Sequence, residues 1–497
     1  MMRFLGPGDP DHLLSASRYY LRPGQLRRML FRQLFVFSVP DVPEPQAGRF
    51  VPVPDVAAEV PTTMNGGIRE DGTRYTIRLR GGVLWDADPV REVTAEDFVR
   101  GFERLRYLDP GADAAAYFAD TIEAVQAIDP RTLDIRLHRP ANDLLDILSL
   151  GFLVAVPEEQ RDRPLESIPG ARTVCNGPYR VCHGDRRTLV LEPNPAWKPD
   201  TDPVRVRDAE RIEVLAPESP EQASRDIAAG RIDLAWPFAV ACWQAGQASF
   251  PDSFPGFTLN PYLVFNTRSA ATSKPGVRRA VAHAVNKLAV DDIVRDLLGV
   301  ATRPVHSVLL PGNLGHVEDG RCRFERSEPA RARAALQDAG CPDGLVLTGV
   351  VRDIAFQRRI MESIAVDLVA CGVRLDIRVV APSEYYGKVL DPARAAAGEW
   401  DIALPGWTPD WFGNNGRAAL RPLFGTGQAG NFGDYRNVEV DRLIEAALAA
   451  ADAERAARYW RLVDDAVMTD LPVLPMLAFA CECCAARTGS TGWGMVP

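Results

Sequence analysis

The pattern of periodicities along the chain predicts a mixed α/β protein built from about three structural units. Three observations carry that expectation. Period-two runs and period-3.6 runs follow one another irregularly rather than in blocks. The 497 residues are enough for about three domains of ordinary size. Hydrophobic residues make up 46% and charged residues 25%, a globular composition that argues against disorder.

The elements follow in order. Leu26 to Phe37 reads as an amphipathic surface helix docked through Leu26, Met29, Leu30 and Leu34, with Arg27, Arg28 and Arg32 on its polar side. The Pro-rich stretch 40–54 reads as a crossing between lobes. Tyr75 to Arg80 alternates apolar and polar β-formers, a half-buried strand. Thr94 can cap a helix whose first turn holds Glu96 and Asp97 at the positive end of its dipole, with Phe98, Phe102 and Leu105 on the inner face. Leu133, Ile135 and Leu137 mark a strand, as do Leu189 to Leu191. A short helix from Glu221 to Ala229 ends at Gly230, which suits a left-handed cap. Val277 to Val294 reads as one helix with Val277, Val281 and Val285 on a stripe. Phe356 to Val369 carries Ile360, Ile364 and Leu368 at helical spacing and stops at Gly372. Helices over Asp441 to Ala450 and Glu454 to Met468 precede a strand from Val473 to Phe479.

Charge and cysteine content narrow the function. The 57 basic residues, only four of them lysine, face 66 acidic ones for a net charge of −9. A general nucleic-acid footprint is excluded by that balance. The longest nearly apolar stretch, Ile147 to Val156, is too short to span a bilayer. The opening MMRFLGPGDPDH has no apolar h-region and no small-residue cleavage site, so no signal peptide is expected in this chain. A native start at Met1 then implies a cytoplasmic protein, and a leader removed upstream an extracytoplasmic one. Nine scattered cysteines make a poor disulfide framework. Cys481, Cys483 and Cys484 lack the second ligand pair of a zinc site and read as strand thiols.

No catalytic constellation stands out. Gly425 to Gly430 matches G-x-G-x-x-G, but no strand and helix flank it, so it reads as a loop. There is no phosphate-binding P-loop, no H-E-x-x-H and no G-x-S-x-G. The carboxylate pairs Asp291-Asp292 and Asp464-Asp465 read as solvated helix positions. The segment Trp407-Thr-Pro-Asp410-Trp411-Phe412 differs from the rest: two indoles and a phenyl ring surround one carboxylate. Such density makes either a structural cluster or a ligand site. An acid in that setting needs a partner, and a ligand ammonium would supply one, with the indole faces adding cation–π attraction.

Ordered blocks along nearly the whole chain resemble a known family. They are Tyr75 to Trp85 (YTIRLRGGVLW) with Val93 to Phe98 (VTAEDF), Asn176 to Tyr179 (NGPY) with Leu191 to Trp197 (LEPNPAW), and Ala229 to Asp233 (AGRID). Phe265 to Thr267 (FNT) with Val277 to Ala280 (VRRA), and Asn437 to Ile444 (NVEVDRLI), complete the set. Together they resemble the bacterial extracellular solute-binding proteins of family 5, the oligopeptide-, dipeptide- and nickel-binding proteins of ABC transporters. Asn176, Asn286 and Val438 depart from the family's usual residues.

The resemblance implies an α/β, two-lobed periplasmic-binding-protein-like fold of type II, cluster C, with an extra small domain. It places the first lobe at 1–38, 152–258 and 470–497, the extra domain at 39–151 and the second lobe at 259–469. It implies a monomeric, extracytoplasmic, non-enzymatic protein without cofactor, metal or nucleic-acid partner. Such a protein captures a peptide or other small amine-bearing ligand between closing lobes and delivers it to an ABC permease. In peptide-binding members the aspartate of a W-x-x-D motif takes the ligand's α-ammonium. Here that residue is Asp410, with Trp407 and Trp411 lining the side-chain pocket. Arg358 or Arg359 falls where dipeptide-binding members hold the α-carboxylate. The alternative is a cytoplasmic protein that kept this fold and cleft as a ligand carrier, sensor or biosynthetic enzyme.

Overall fold

The computed structural model describes residues 1–5, 27–38, 51–107, 113–151, 153–161, 173–185, 187–215, 222, 225–226, 229–235, 256–298, 302–317, 324–411, 413–481 and 484–485. The chain divides into two compact units, Met1–Pro43 with Arg49–Ser253 and Glu482–Pro497, and Glu44–Gly48 with Phe254–Cys481. Most of the Pro-rich stretch, most of the short helix before Gly230, and the side chains of Cys481, Cys483 and Cys484 lie outside the described residues.

The first unit holds a six-stranded sheet in the spatial order Cys484–Ala485, Leu234–Ala235, Met2–Leu5, Ile212–Leu215, Thr188–Pro193 and Tyr179–Gly184. Met2 to Leu5 pairs in parallel with Ile212 to Leu215, and the last two strands form an antiparallel hairpin. The carboxylate of Asp185 closes that hairpin by accepting the N–H groups of Arg187 and Thr188, both at 2.7 Å. A smaller antiparallel sheet joins Arg74–Arg78, Thr132–Leu137 and Ile122–Asp129. The predicted alternation holds in Arg74–Arg78, where Tyr75 and Ile77 are buried and Arg74 and Arg78 exposed, whereas in Thr132–Leu137 Asp134 is buried along with Leu133, Ile135 and Leu137.

The helix Ala95–Tyr107 packs by Phe98, Phe102 and Leu105 as its spacing predicts. Its start differs from expectation. The Thr94 hydroxyl donates to Asp97 instead of accepting a backbone N–H, while the Asp97 carboxylate reaches back to the N–H of Thr94 at 2.9 Å. Asp97 is fully buried because Trp85 Nε1, at 2.9 Å, Arg91 and Arg100 also converge on it.

The predicted surface helix at 26–37 is corrected by the structure. Leu26 is outside the described residues. Residues 27–30 form one helical turn, and Phe35–Ser38 is a strand paired with Val51–Pro54. Arg27 and Arg32 are buried. The reason is countercharge from distant segments. Arg32 Nε donates to Asp55 at 2.8 Å and its Nη2 to the Thr201 carbonyl at 2.7 Å, and Arg205 bonds both Asp55, at 2.8 Å, and Asp202. Burial alone would raise the Asp55 carboxyl, but Arg205 and Arg32 outweigh it and hold the group down to about 2.

The second unit holds a five-stranded sheet in the order Val373–Val380, Leu345–Arg352, Ile402–Ala403, Tyr262–Phe265 and Val473–Pro475. The first three strands are parallel, and Tyr262–Phe265 runs antiparallel to both its neighbours. A second, antiparallel sheet joins Gly256–Leu259, Leu477–Cys481 and Thr302–Pro304. The predicted strand Val473 to Phe479 is therefore two strands, one in each sheet, with Met476 between them.

Ala355–Val369 is the helix its spacing predicts, with Ile360, Ile364 and Leu368 fully buried and Gly372 at φ +90° beyond its end. The predicted helix over 277–294 is two, Pro275–Ala284 and Lys287–Leu298. The break has a tertiary cause. The Asn286 N–H goes to the Asp367 carboxylate at 2.9 Å and the Lys287 N–H to the Glu325 carbonyl at 3.0 Å, so neither continues the helical ladder. Lys287 itself is buried, its Nζ on the Val305 carbonyl at 2.7 Å, and burial brings its ammonium down to about 7.

The acid pairs are corrected in part: Asp292 and Asp465 are exposed, but Asp291 and Asp464 are buried. Asp464 accepts the N–H of Val308 at 2.9 Å and, despite that bond, burial pushes its carboxyl up to about 7. Helices Val438–Leu448 and Ala453–Asp470 pack together, capped by Asn437 and Asp452. Gly416 lies against the Trp460 ring, where an added Cβ would sit 2.2 Å from an indole carbon, so no other residue fits without displacement.

Candidate functional site

The aromatic segment at 404–411 extends from the carboxyl end of the strand Ile402–Ala403 in the second unit. Its path is fixed by backbone hydrogen bonds to both sides. Leu404 N–H donates to the Tyr385 hydroxyl at 2.9 Å and Gly406 N–H to the Tyr386 hydroxyl at 3.3 Å. Trp407 and Leu259 exchange two backbone bonds, of 2.8 and 3.0 Å, which staples the segment to the neighbouring sheet. Gly406 lies close to Asn260, where an added Cβ would come within 2.7 Å of Oδ1 and the amide side chain would have to shift.

The two indoles are oriented by their own N–H groups. Trp407 Nε1 donates to the Ala418 carbonyl at 2.9 Å, and Trp411 Nε1 to the Asn414 carbonyl at 2.7 Å. Trp411 is buried, while Trp407 is half-buried against the core. The Trp407 ring lies against Gly430, where an added Cβ would stand 3.2 Å from Cζ3. Asp410 lies between them in sequence, its surface partly accessible. Burial pushes its carboxyl up to about 8. A cation delivered there would favour the ionised form. Phe412, part of the same motif, is outside the described residues.

Arg358 and Arg359 lie on the exposed face of the helix Ala355–Val369. Arg358 pairs with Asp353 at 2.9 Å and Arg359 with Glu362 at 3.6 Å. Among the described residues, neither makes a polar contact with 406–411.

Several groups around the segment carry no sequence signature. Tyr385 and Tyr386 head a π-helix, Tyr385–Val389, a rare conformation that recurs at functional sites. Their rings meet edge to face at 5.1 Å. Arg352 stacks on both, 5.5 and 5.2 Å from the ring centres. Asn415 is fully buried, and neither polar atom of its side chain has a hydrogen-bond partner among the described residues. The Tyr385–Tyr386 doublet was the available sequence signal. The others become visible only through strand pairing.

Among the described residues no group of three His, Cys, Asp or Glu could hold a metal ion, and no helix is long and apolar enough to cross a membrane.

Comparison with known proteins sets this geometry in context. A family model described as bacterial extracellular solute-binding proteins, family 5 Middle, matches residues 51–431. Heme-binding protein A of Haemophilus influenzae is 24% identical over 444 residues, covering 82% of this chain and 77% of that one. The dipeptide-binding protein of Escherichia coli is 24% identical over 449 residues, covering 82% and 78%. Among solved structures, a clavulanic acid biosynthesis oligopeptide binding protein superposes with a TM-score of 0.80 at 22% identity, covering 96% of this chain and 90% of that one. The fold is thus the α/β, type II periplasmic-binding-protein-like fold that the sequence predicts.

Proposed function

Because the chain belongs to the bacterial extracellular solute-binding proteins of family 5, we propose that it captures a peptide or another small amine-bearing solute by closure of two lobes and hands it to the permease of an ABC importer. The relative from Escherichia coli is a dipeptide-binding protein, and the matched solved structure an oligopeptide binding protein. Binding and release are the whole of its chemistry in this reading. It acts outside the cytoplasm, as a monomer, without cofactor or metal. The lobes follow the boundaries that the family resemblance implies, 1–38, 152–258 and 470–497 for the first, 259–469 for the second, and 39–151 for the extra domain.

One observation carries the proposal: the segment leaving the carboxyl end of the strand Ile402–Ala403 sets an acid, Asp410, between Trp407 and Trp411, where burial raises its carboxyl. A ligand ammonium offers it a charge-assisted partner, which is short and strong where water is scarce. Trp407 and Trp411 form walls that accept varied side chains, while the ligand's main chain supplies the affinity. A carboxylate on the ligand is met by an arginine near the start of the helix Ala355–Val369, where the resemblance offers Arg358 and Arg359.

The test is calorimetric titration with a free-amine dipeptide library. Asp410→Ala is expected to weaken binding by about 2–5 kcal/mol, the usual loss when one partner of a desolvated pair is removed. Unchanged affinity would remove Asp410 from the site.

A further inference from the structure

We infer that Asn313 is a positioning residue for the ligand site: it holds Gly413 in place and, through it, the corner formed by Asp410 and Trp411. The inference deepens the peptide-capture reading and rests on it for what the held segment binds. Asn313 lies at the tip of the chain that leaves the strand Thr302–Pro304. That chain is rooted in the second unit before it reaches the tip. Lys287 Nζ donates to the Val305 carbonyl at 2.7 Å, and the Val305 N–H goes to the Met476 carbonyl at 3.0 Å. Asp464 accepts the N–H groups of Val308 and Leu309 at 2.9 and 3.4 Å. The side chains of Val305, Val308, Leu309 and Leu310 are buried in the core of the unit.

The tip is closed on itself. The Asn313 N–H goes to the Leu310 carbonyl at 3.2 Å, and the Asn313 carbonyl accepts the His316 N–H at 3.1 Å. Gly315 sets the tip against the helix Ala453–Asp470, where an added Cβ would stand 2.6 Å from the Ala457 carbonyl oxygen. With its main chain engaged in the turn, Asn313 reaches outward by its side chain. That side chain is buried, and its Oδ1 accepts the Gly413 N–H at 3.2 Å. The adjacent Leu314 N–H donates to the Gly413 carbonyl at 2.8 Å. Gly413, in the left-handed region at φ +87°, is therefore held at both of its backbone polar groups. The next residue, Asn414, offers the carbonyl that takes the Trp411 indole N–H at 2.7 Å. Asp410 immediately precedes that tryptophan. A binding residue on a loop is only as well placed as the scaffold that holds the loop, and here the hold comes from a rooted, closed turn.

Amide hydrogen exchange read by mass spectrometry tests the hold without any ligand. Asn313→Ala is expected to speed exchange across residues 413–416 about tenfold, while the helix Ala355–Val369 exchanges as before. Asn313→Asp, which keeps an acceptor oxygen at that place, should stay close to wild type. Native mass spectrometry then reads the site with two matched dipeptide libraries, one with free amino termini and one acetylated there. Wild type should retain the free-amine members about tenfold better, and Asn313→Ala should cut that ratio about threefold. Asn313→Asp should restore it. A residue that only stabilised the fold would lower the melting temperature and leave the ratio where it was. Asn313→Ser takes the place of the Ala variant if that variant does not fold. Two outcomes overturn the inference: exchange at 413–416 unchanged in Asn313→Ala, or faster exchange there with an undiminished ratio. A wild type that retains neither library, or both equally, defeats the reading of Asp410 as an ammonium site instead, and the exchange result then decides alone whether Asn313 holds the segment.

Discussion

At the scale of single residues, Asp410 has the largest consequence. Its carboxyl titrates at about 8 in the folded protein against an ordinary value near 4. The folded state thus holds a proton that the unfolded chain has already lost between those values. This contribution to stability is fully present below about pH 4 and disappears as pH rises towards 8. Asp410→Asn should remove that slope, so wild type minus variant stability, from denaturant titrations at pH 4 to 6.5, should fall with rising pH. That window lies below the titration of Lys287, whose depressed ammonium acts in the opposite sense above about 7. An ammonium ligand needs the ionised acid, so its affinity should drop by up to about tenfold per pH unit below 8. A flat calorimetric profile between pH 5 and 8 would contradict this.

At the scale of elements, Gly416 and Trp460 show how closely the second unit is packed. Gly416→Ala drives a methyl into the indole and should cost about 1–3 kcal/mol, read as a lower urea midpoint. The same scale shows what the sequence could and could not reveal. The helix Ala355–Val369 was legible because its apolar residues repeat every turn and face one core. The strand Arg74–Arg78 was legible for the same reason at period two. The helix over 277–294 was misjudged because its hydrophobic stripe is continuous while its hydrogen bonds are not. Asp367 and Glu325, distant in sequence, take the N–H groups at 286 and 287. Likewise, Arg32 reads as a surface residue until Asp55, Asp202 and Arg205 arrive from elsewhere. In the site, the W-x-x-D cluster was visible from composition. Arg352 and Asn260 were not, because parallel pairing and the Leu259–Trp407 bridge bring them to it, and of their neighbours only the Tyr385–Tyr386 doublet shows in the sequence.

At the scale of the whole molecule, each unit has its own core and its own buried ionic feature. In the first, residues 32, 55, 202 and 205 form a closed network among segments that sheet pairing alone does not join. Removing one member strands the others in a water-poor setting. Asp55→Ala should therefore destabilise this unit by about 3–5 kcal/mol, seen by calorimetry as an earlier transition. A two-unit chain of this length is not expected to melt in one step. The transition of the second unit should be the less affected.

The half-exposed indole of Trp407 also gives the protein an optical gauge. It is held by one hydrogen bond to Ala418 and stands three residues from an acid that changes charge near pH 8. Its emission should shift in colour and intensity when that acid ionises or a guest covers the ring. Trp407→Phe should silence the shift while eight other tryptophans go on glowing. The protein would then report its own occupancy without a label.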